Sequence, residues 1–306
     1  MSAIILHHYD PSPYANKIRK VLGHKGLAWQ SVIIPEVMPK PDLVALTGGY
    51  RMTPVMQIGA NIYCDSHLIA AQIERLQPNP KLYPQQQAAS IAALEQWSNN
   101  LFLPLFVVVV GHGGFIDEPF LEDRNKVMHE ALSPEVAKAK MTGSLASLRS
   151  AVVFLERQLD DGPPYLLGSE PTAADFAVEV VTSALFLLPP FSGLVEGCPH
   201  LAEWAGRMAA IPNGERSEIS SQQALDVARE SEPVIDGGTS DGHDGFETGD
   251  IVEVTPSGLG RCPVEGQLVV SNAHEVVVLR ETDSLGEVAV HFPRAHVVVN
   301  KVGSNR

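Results

Sequence analysis

The chain has 306 residues and a mass of 33.0 kDa, enough for two or three domains with substantial cores. Its hydrophobic share of 44% is that of an ordinary globular protein, while a net charge of -14 disfavours nucleic acid and anionic membranes as partners, because the long-range field repels phosphate. Three scattered cysteines, Cys64, Cys198 and Cys262, exclude a disulfide framework.

The first segment, residues 1–79, alternates strand and helix patterns. Strands are predicted over Ile4 to His8, Ser31 to Ile34, Val55 to Ile58 and Ile62 to Cys64, and helices over Pro13 to Gly23, Pro41 to Leu46 and Ser66 to Leu76. Gly59-Ala60-Asn61 reads as a hairpin turn. This spacing implies a partly parallel sheet covered by helices, an α/β domain. Pro78-Asn79-Pro80 and Pro84 end it, and residues 85–231 carry helical periodicity with no strand alternation. Within them Leu101 to Val110 is β-branched, yet its setting predicts a buried helix bent at Pro104. That run is too short for a membrane span, and the N-terminus has no basic stretch before its apolar residues, so a cytoplasmic protein is expected.

Residues 232–245 are rich in Gly, Ser and Asp and read as a mobile linker. Beyond it, in residues 246–306, five short β-branched runs separated by turn residues predict a small antiparallel barrel: Ile251 to Val254, Gly266 to Val270, Glu275 to Arg280, Gly286 to His291 and His296 to Asn300.

Three polar signals in the first segment carry chemistry. Ser12-Pro13 is a helix opening, with Ser at the N-cap and Pro in the first turn. The same hydroxyl, at the positive end of a helix, could donate to a bound thiolate. Bringing a thiol from about 8.5 to near 6.5 takes about 2.7 kcal/mol, within reach of one charge-assisted hydrogen bond plus a helix terminus. Thr53-Pro54 either enters an edge strand or, with a cis bond, turns the Thr53 amide and carbonyl toward a peptide-like ligand. Asp65-Ser66 either caps a helix or, with the free amides of the first turn, grips an amino-acid head group. Each has a structural reading alone; their order on one strand and helix pattern favours a ligand site.

The ordered signals resemble the glutathione S-transferase superfamily. Residues 12–19, SPYANKIR, are similar to its catalytic helix start, and residues 53–74 to its cis-proline hairpin and γ-glutamyl-binding helix. Residues 167–176, LGSEPTAADF, resemble the family's helix-capping box in the helical domain, with Thr172 as cap and Asp175 reaching back to its amide. The resemblance implies a thioredoxin-like domain followed by an all-helical domain, glutathione as cosubstrate without a metal, a homodimer and a small electrophilic acceptor. By it Ser12, or second Tyr9, activates the thiol, the Thr53 backbone before Pro54 holds the cysteinyl unit, and Asp65 with Ser66 binds the γ-glutamyl group. Met52 stands where the family often has Lys or Gln, so Arg51 or Lys40 is expected to meet the glycine carboxylate. Tyr14, Phe106, Phe115 and the Leu185 to Leu188 region are expected to wall the acceptor pocket. The terminal domain resembles SH3-like barrels and is expected to dock on the transferase domains, support a dimer or bind a protein. The alternatives to a transferase are a non-catalytic glutathione-binding scaffold, or an isomerase, reductase or lyase on the same fold. Ser rather than Cys at position 12 argues against thiol exchange. The histidines are not expected to hold a metal, since His7-His8 point to opposite faces of a strand and His291 with His296 lack a matching pair of Cys or carboxylate ligands.

Overall fold

A computed structural model describes residues 3–128, 130–160, 162–235, 240, 242, 244–258 and 261–303. The N-terminal unit runs β1 (Ile5–His8), α1 (Pro13–His24), β2 (Ala28–Ile33), α2 (Pro41–Thr47), β3 (Val55–Ile58), β4 (Asn61–Cys64) and α3 (Ser66–Leu76). β1 lies parallel to β2 and antiparallel to β3, and β3 turns into β4 through Gly59 at φ 59°. The order is that of a thioredoxin-like domain. β1 is buried along its whole length because both of its faces are covered, and its two histidines are satisfied there by Gln57 and Ser31. Leu6 joins the core made with Ile18 and Leu22 of α1 and Ile69 of α3, while Ile5 joins the opposite core with Leu43 and Leu46 of α2. β2 begins three residues earlier than predicted, where Trp29 turns inward.

The helical domain contains α4 (Ala88–His112), α5 (Glu118–Asn125), α6 (Pro134–Asp160), α7 (Ala173–Leu187), α8 (Ser192–Val195) and α9 (Pro199–Ala209). α4 continues through Pro104 as a helix. Together with its preceding turn it spans 28 residues and is long and apolar enough to cross a membrane by length and composition, which the short run read from the sequence was not. Here its apolar residues Ile91, Leu105 and Val108 pack with α6 and α7 in the main core. α7 is buried along most of its length and is fixed at its start by Asp175, whose carboxylate accepts from the Thr172 amide at 2.9 Å.

After α9 the structure departs from an all-helical reading. β5 (Glu215–Glu218) pairs parallel with β2, and α10 (Ser221–Arg229) follows. Glu215-Arg216-Ser217-Glu218 has no apolar periodicity of either kind, and its strand form is set by backbone pairing at a sheet edge.

Five antiparallel strands close the chain: β6 (Ile251–Pro256), β7 (Val264–Ser271), β8 (Glu275–Thr282), β9 (Gly286–Pro293) and β10 (Val297–Lys301). They are not a separate body. β9 pairs parallel with β4, Asn61 opposite Ala289 and Tyr63 opposite His291, so that one ten-stranded sheet runs β10-β6-β7-β8-β9-β4-β3-β1-β2-β5. Beneath it Ile62 and Val55 of the first domain share a core with Val278, Val290 and Phe292. His291 bridges the join, 3.1 Å from Asn61 Oδ1 and 3.2 Å from Glu275 Oε2, and stacks on Tyr63. Of the predicted linker, residues 236–239, 241 and 243 lie outside the described residues; Ser240 Oγ accepts from the Ser271 amide at 3.0 Å, and Asp244 accepts from the Ser271 hydroxyl. The predicted last strand began at His296, but Arg294–His296 form a 3₁₀ turn instead.

Candidate functional site

A cavity of about 570 Å³ lies where the three units meet. The thioredoxin-like domain contributes Tyr14 and Lys17 of α1, Tyr50, Met52, Thr53 and Pro54 before β3, and Asp65, Ser66 and His67 at the start of α3. α4 lines the facing side with Glu95, Gln96, Asn99, Asn100, Phe102 and Leu103. The terminal strands add Pro256, Ser257, Gly258, Ala295 and His296.

The Thr53-Pro54 bond is cis, the form in which the preceding backbone faces outward from the sheet. Asp65 holds the only positive φ among the described non-glycine residues, 76°. That conformation places its carboxylate over the first turn of α3, where Oδ1 accepts from the His67 amide at 2.7 Å. Oδ2 faces His296 Nδ1 at 3.3 Å. Burial raises the Asp65 carboxyl, but His296 and the His67 amide and ring outweigh it, holding it below the usual carboxylate range. The hydrogen bond to Asp65 raises the His296 imidazole against the opposing effect of burial.

Next to this pair sits Glu95, 5% exposed, with His67 Nδ1 at 3.0 Å and Lys17 Nζ at 3.6 Å. Neither carboxylate oxygen of Glu95 makes a hydrogen bond of good geometry. Burial pushes its carboxyl up, but the contact with His67 and the Lys17 ammonium outweigh it and hold it below the usual carboxylate range. The His67 and His296 rings are 5.4 Å apart. One end of the cavity is therefore a set of five ionisable groups, and the other end is apolar, with Tyr14 tilted against Phe102 at 5.1 Å.

Of the residues expected from the sequence, Tyr14, Thr53, Pro54, Asp65 and Ser66 line this cavity together. The others stand elsewhere. Ser12 is buried at the α1 N-cap, where its Oγ accepts from the Ala15 amide at 3.2 Å. The Tyr9 hydroxyl accepts from Arg124 Nη2 at 3.1 Å. Arg51 is paired with the buried Asp123. Lys40 lies behind Thr53, donating to the Arg51 carbonyl at 3.2 Å and Thr53 Oγ1 at 3.4 Å. Burial, with Arg124 and Arg51 nearby, brings its ammonium down to about 8. Phe106 packs in a small cluster with Val107 and Val110, and Phe115 is exposed against His112. Leu185 is in the main core and Leu187 points to solvent. Sequence reasoning missed Lys17, His67, Glu95, Phe102 and His296. Lys17 was within reach, one turn along α1 from Tyr14, and His67 adjoins Ser66; Glu95 and His296 come from distant elements and leave no local mark.

The Asp65 and His296 pair gives a pH signature. The folded imidazole titrates above its ordinary value of about 6.5, so its contribution is complete below that pH and is lost as pH rises through the folded value. Asp65 titrates below about 3.8, so its contribution holds above that pH and is lost on further acidification. The stabilities of the unaltered protein and His296→Ala in urea should therefore differ most near pH 5 to 6 and converge by pH 9, the difference being about 1 kcal/mol or less for a pair whose side chains are 25% and 31% exposed. An equal difference at both pH values contradicts the pairing.

Fold and site together define a thioredoxin-like protein with a helical second domain and a small-molecule cavity between them. Residues 6–81 match the family model for the glutathione S-transferase N-terminal domain and residues 110–207 that for the C-terminal domain. A GST-like protein from Pseudomonas syringae is 37% identical, with 99% of this chain and 100% of that chain covered and a TM-score of 0.80. The chain belongs to the glutathione S-transferase superfamily. A β-etherase from Sphingobium sp. (18% identity, 69% of this chain and 96% of that one, TM-score 0.54) and a poplar glutathione transferase (14%, 76% and 100%, TM-score 0.56) share the fold. A comparison with curated proteins gives no match.

Proposed function

We propose that the protein is a glutathione transferase that conjugates the glutathione thiolate to an apolar electrophile. One observation carries this reading: the cis Thr53-Pro54 end of β3 and the Asp65-Ser66 start of α3 line a single cavity of about 570 Å³ with an apolar far end. That volume suits a small molecule. The γ-glutamyl head group lies at Asp65 and Ser66, the cysteinyl unit runs along the Thr53 backbone, and the acceptor rests against Tyr14, Phe102 and Leu103. Ser12 accepts from the Ala15 amide and does not line the cavity; its place at the α1 N-terminus makes it the donor to the thiolate, with Tyr14, which lines the cavity, as the competing donor. The sulfur then attacks the electrophilic carbon, the leaving group departs with its electron pair, and the thiol proton passes to solvent.

Calorimetric titration with glutathione and an assay with an aryl halide test the reading; no binding at millimolar glutathione would sink it. Ser12→Ala should lower kcat about 100-fold, the loss typical of one preorganised donor, while Tyr14→Phe should act mainly on the KM of the electrophile. The reverse split would transfer the thiol to Tyr14, which lines the cavity where Ser12 does not.

A second reading is a non-catalytic glutathione-binding scaffold. Met52, together with the engagement of Arg51 by Asp123 and of Lys40 by the Arg51 carbonyl, favours it, since the cations expected at the glycine carboxylate already have partners. We read the terminal strands as SH3-like, on the order β10-β6-β7-β8-β9 and the 3₁₀ turn between the last two. A homodimer, if formed, must use a surface other than the β4 edge, which β9 covers; sedimentation checks the stoichiometry.

A further inference from the structure

We propose that His296 is a positioning residue of the glutathione site, so that selectivity at the γ-glutamyl end is set by the C-terminal β-domain, which lies outside the two transferase domains. This rests on the glutathione reading above. The argument begins with the seating of the domain. β9 is hydrogen bonded to the first domain along β4, with the Ala289 amide donating to the Ala60 carbonyl at 3.0 Å, and the two share a core. Arg75 of α3 reaches Glu275 at 3.2 Å, and Arg280 donates to the Ala45 carbonyl at 3.4 Å. The wall that these strands present to the cavity is thereby fixed relative to Asp65.

Two segments form that wall, 256–258 after β6 and 295–296 in the 3₁₀ turn, and they are tied together by the Ser257 amide donating to the His296 carbonyl at 2.9 Å. The turn matters. Had β10 begun at His296, as the β-branched run suggested, the imidazole would have followed the strand's alternation. In the turn its Nδ1 meets Asp65 Oδ2.

Asp65 then has one partner on each oxygen, the His67 amide on Oδ1 and His296 on Oδ2, and cannot rotate without losing one of them. An ammonium arriving from the ligand meets a carboxylate of fixed orientation, and the ordering cost is met in advance. The groups facing His296 are Asp65, Glu95, Lys17 and His67. With both imidazoles neutral, Asp65, Glu95 and Lys17 leave this end of the cavity at one net negative charge. Protonation of His296 brings it to zero. A zwitterionic head group, with one charge of each sign, is the ligand chemistry that fits such a balance; the buried Glu95 carboxylate, with no hydrogen bond of good geometry, provides a second acceptor for its ammonium.

The test uses the full chain. Glutathione affinity is measured calorimetrically from pH 5.5 to 8.5 for the unaltered protein, His296→Ala and His296→Gln, with cysteinylglycine, which lacks the γ-glutamyl group, as the second ligand. His296→Ala should weaken glutathione about 10-fold or more, in line with removal of a hydrogen bond to a charged group, and leave cysteinylglycine within about 2-fold. His296→Gln, which restores a neutral donor, should recover most of the affinity at pH 8.5 but not at pH 5.5. In that case the pH profile of the unaltered protein is lost in both variants. Glutathione affinity unchanged in His296→Ala, or an equal loss for both ligands, would overturn the assignment alone. Absence of glutathione binding by the unaltered protein would overturn the glutathione reading and this assignment with it.

Discussion

Asp175→Ala should cost about 3 to 5 kcal/mol of stability, the largest effect expected from any single polar substitution in the helical domain. The carboxylate is fully buried and takes four donors: Oδ1 accepts from the Leu166 amide and Trp204 Nε1, both at 2.9 Å, and Oδ2 from the Thr172 amide at 2.9 Å and its hydroxyl at 3.1 Å. It therefore joins the start of α7, the preceding loop and α9. Alanine leaves the two amides and the indole N–H buried without an acceptor, each at about 1 to 3 kcal/mol, while the Thr172 hydroxyl can turn away. Burial raises the carboxyl, and the four donors bring it only part of the way down, so removing the charge recovers some of that loss. Asn should be milder, about 1 to 2 kcal/mol, because its oxygen can keep Leu166 and Trp204 and only the amide of Thr172 then faces another donor. Urea unfolding of the three proteins measures this. A loss below about 1 kcal/mol for Ala would mean that water replaces the carboxylate and that the site is not the rigid joint described.

This joint is also what the sequence made most legible. Thr172 and Asp175 sit three residues apart before an apolar run, and the capping geometry is local, so spacing alone finds it. The same holds for the three polar signals of the first domain, each at a strand end or helix start, where the type of residue and the geometry are coupled within a few positions. What could not be read came through topology. Glu95 looks like any polar residue on an apolar helix, and becomes a cavity group only because α4 passes Lys17 and His67. The strand Glu215–Glu218 is specified by its pairing with β2 and not by its side chains. The docking of the terminal strands left a trace that could have been used. Val288 to Phe292 is buried on both faces, unlike the alternating strands of a free antiparallel sheet, and the run VAVHF carries a histidine that needs partners. The composition before it, rich in Gly, Ser and Asp, suggested a mobile linker and left docking on the transferase domains as one of three options, because composition reports on the tether and not on the face that the domain buries.

Whether that domain is part of one folding unit can be decided at Phe292. The side chain is 1% exposed, lies edge-on to Tyr50 at 6.0 Å between ring centres, and belongs to the core shared by both domains. Phe292→Ala removes most of a large aromatic side chain from this core and should cost about 3 to 5 kcal/mol. If the terminal strands were a separate module, the loss would fall on a distinct early transition, and the unfolding of residues 3–231 would keep its midpoint. The continuous sheet and shared core require otherwise. Tyr50 and Phe292 support the two sides of the β4 and β9 join, so a cavity there weakens the first domain as well, and the terminal strands and the first domain should unfold in one transition displaced as a whole. Tyr50 also lines the ligand cavity. The same variant should therefore bind glutathione more weakly although Phe292 does not line that cavity, by about 3-fold or more, because the wall carrying His296 is seated through this core. Far-UV circular dichroism and intrinsic fluorescence followed in parallel separate the cases. An early transition confined to the terminal strands, with glutathione affinity unchanged, would show a tethered module, and the pocket wall would then have to hold its position without the core beneath it.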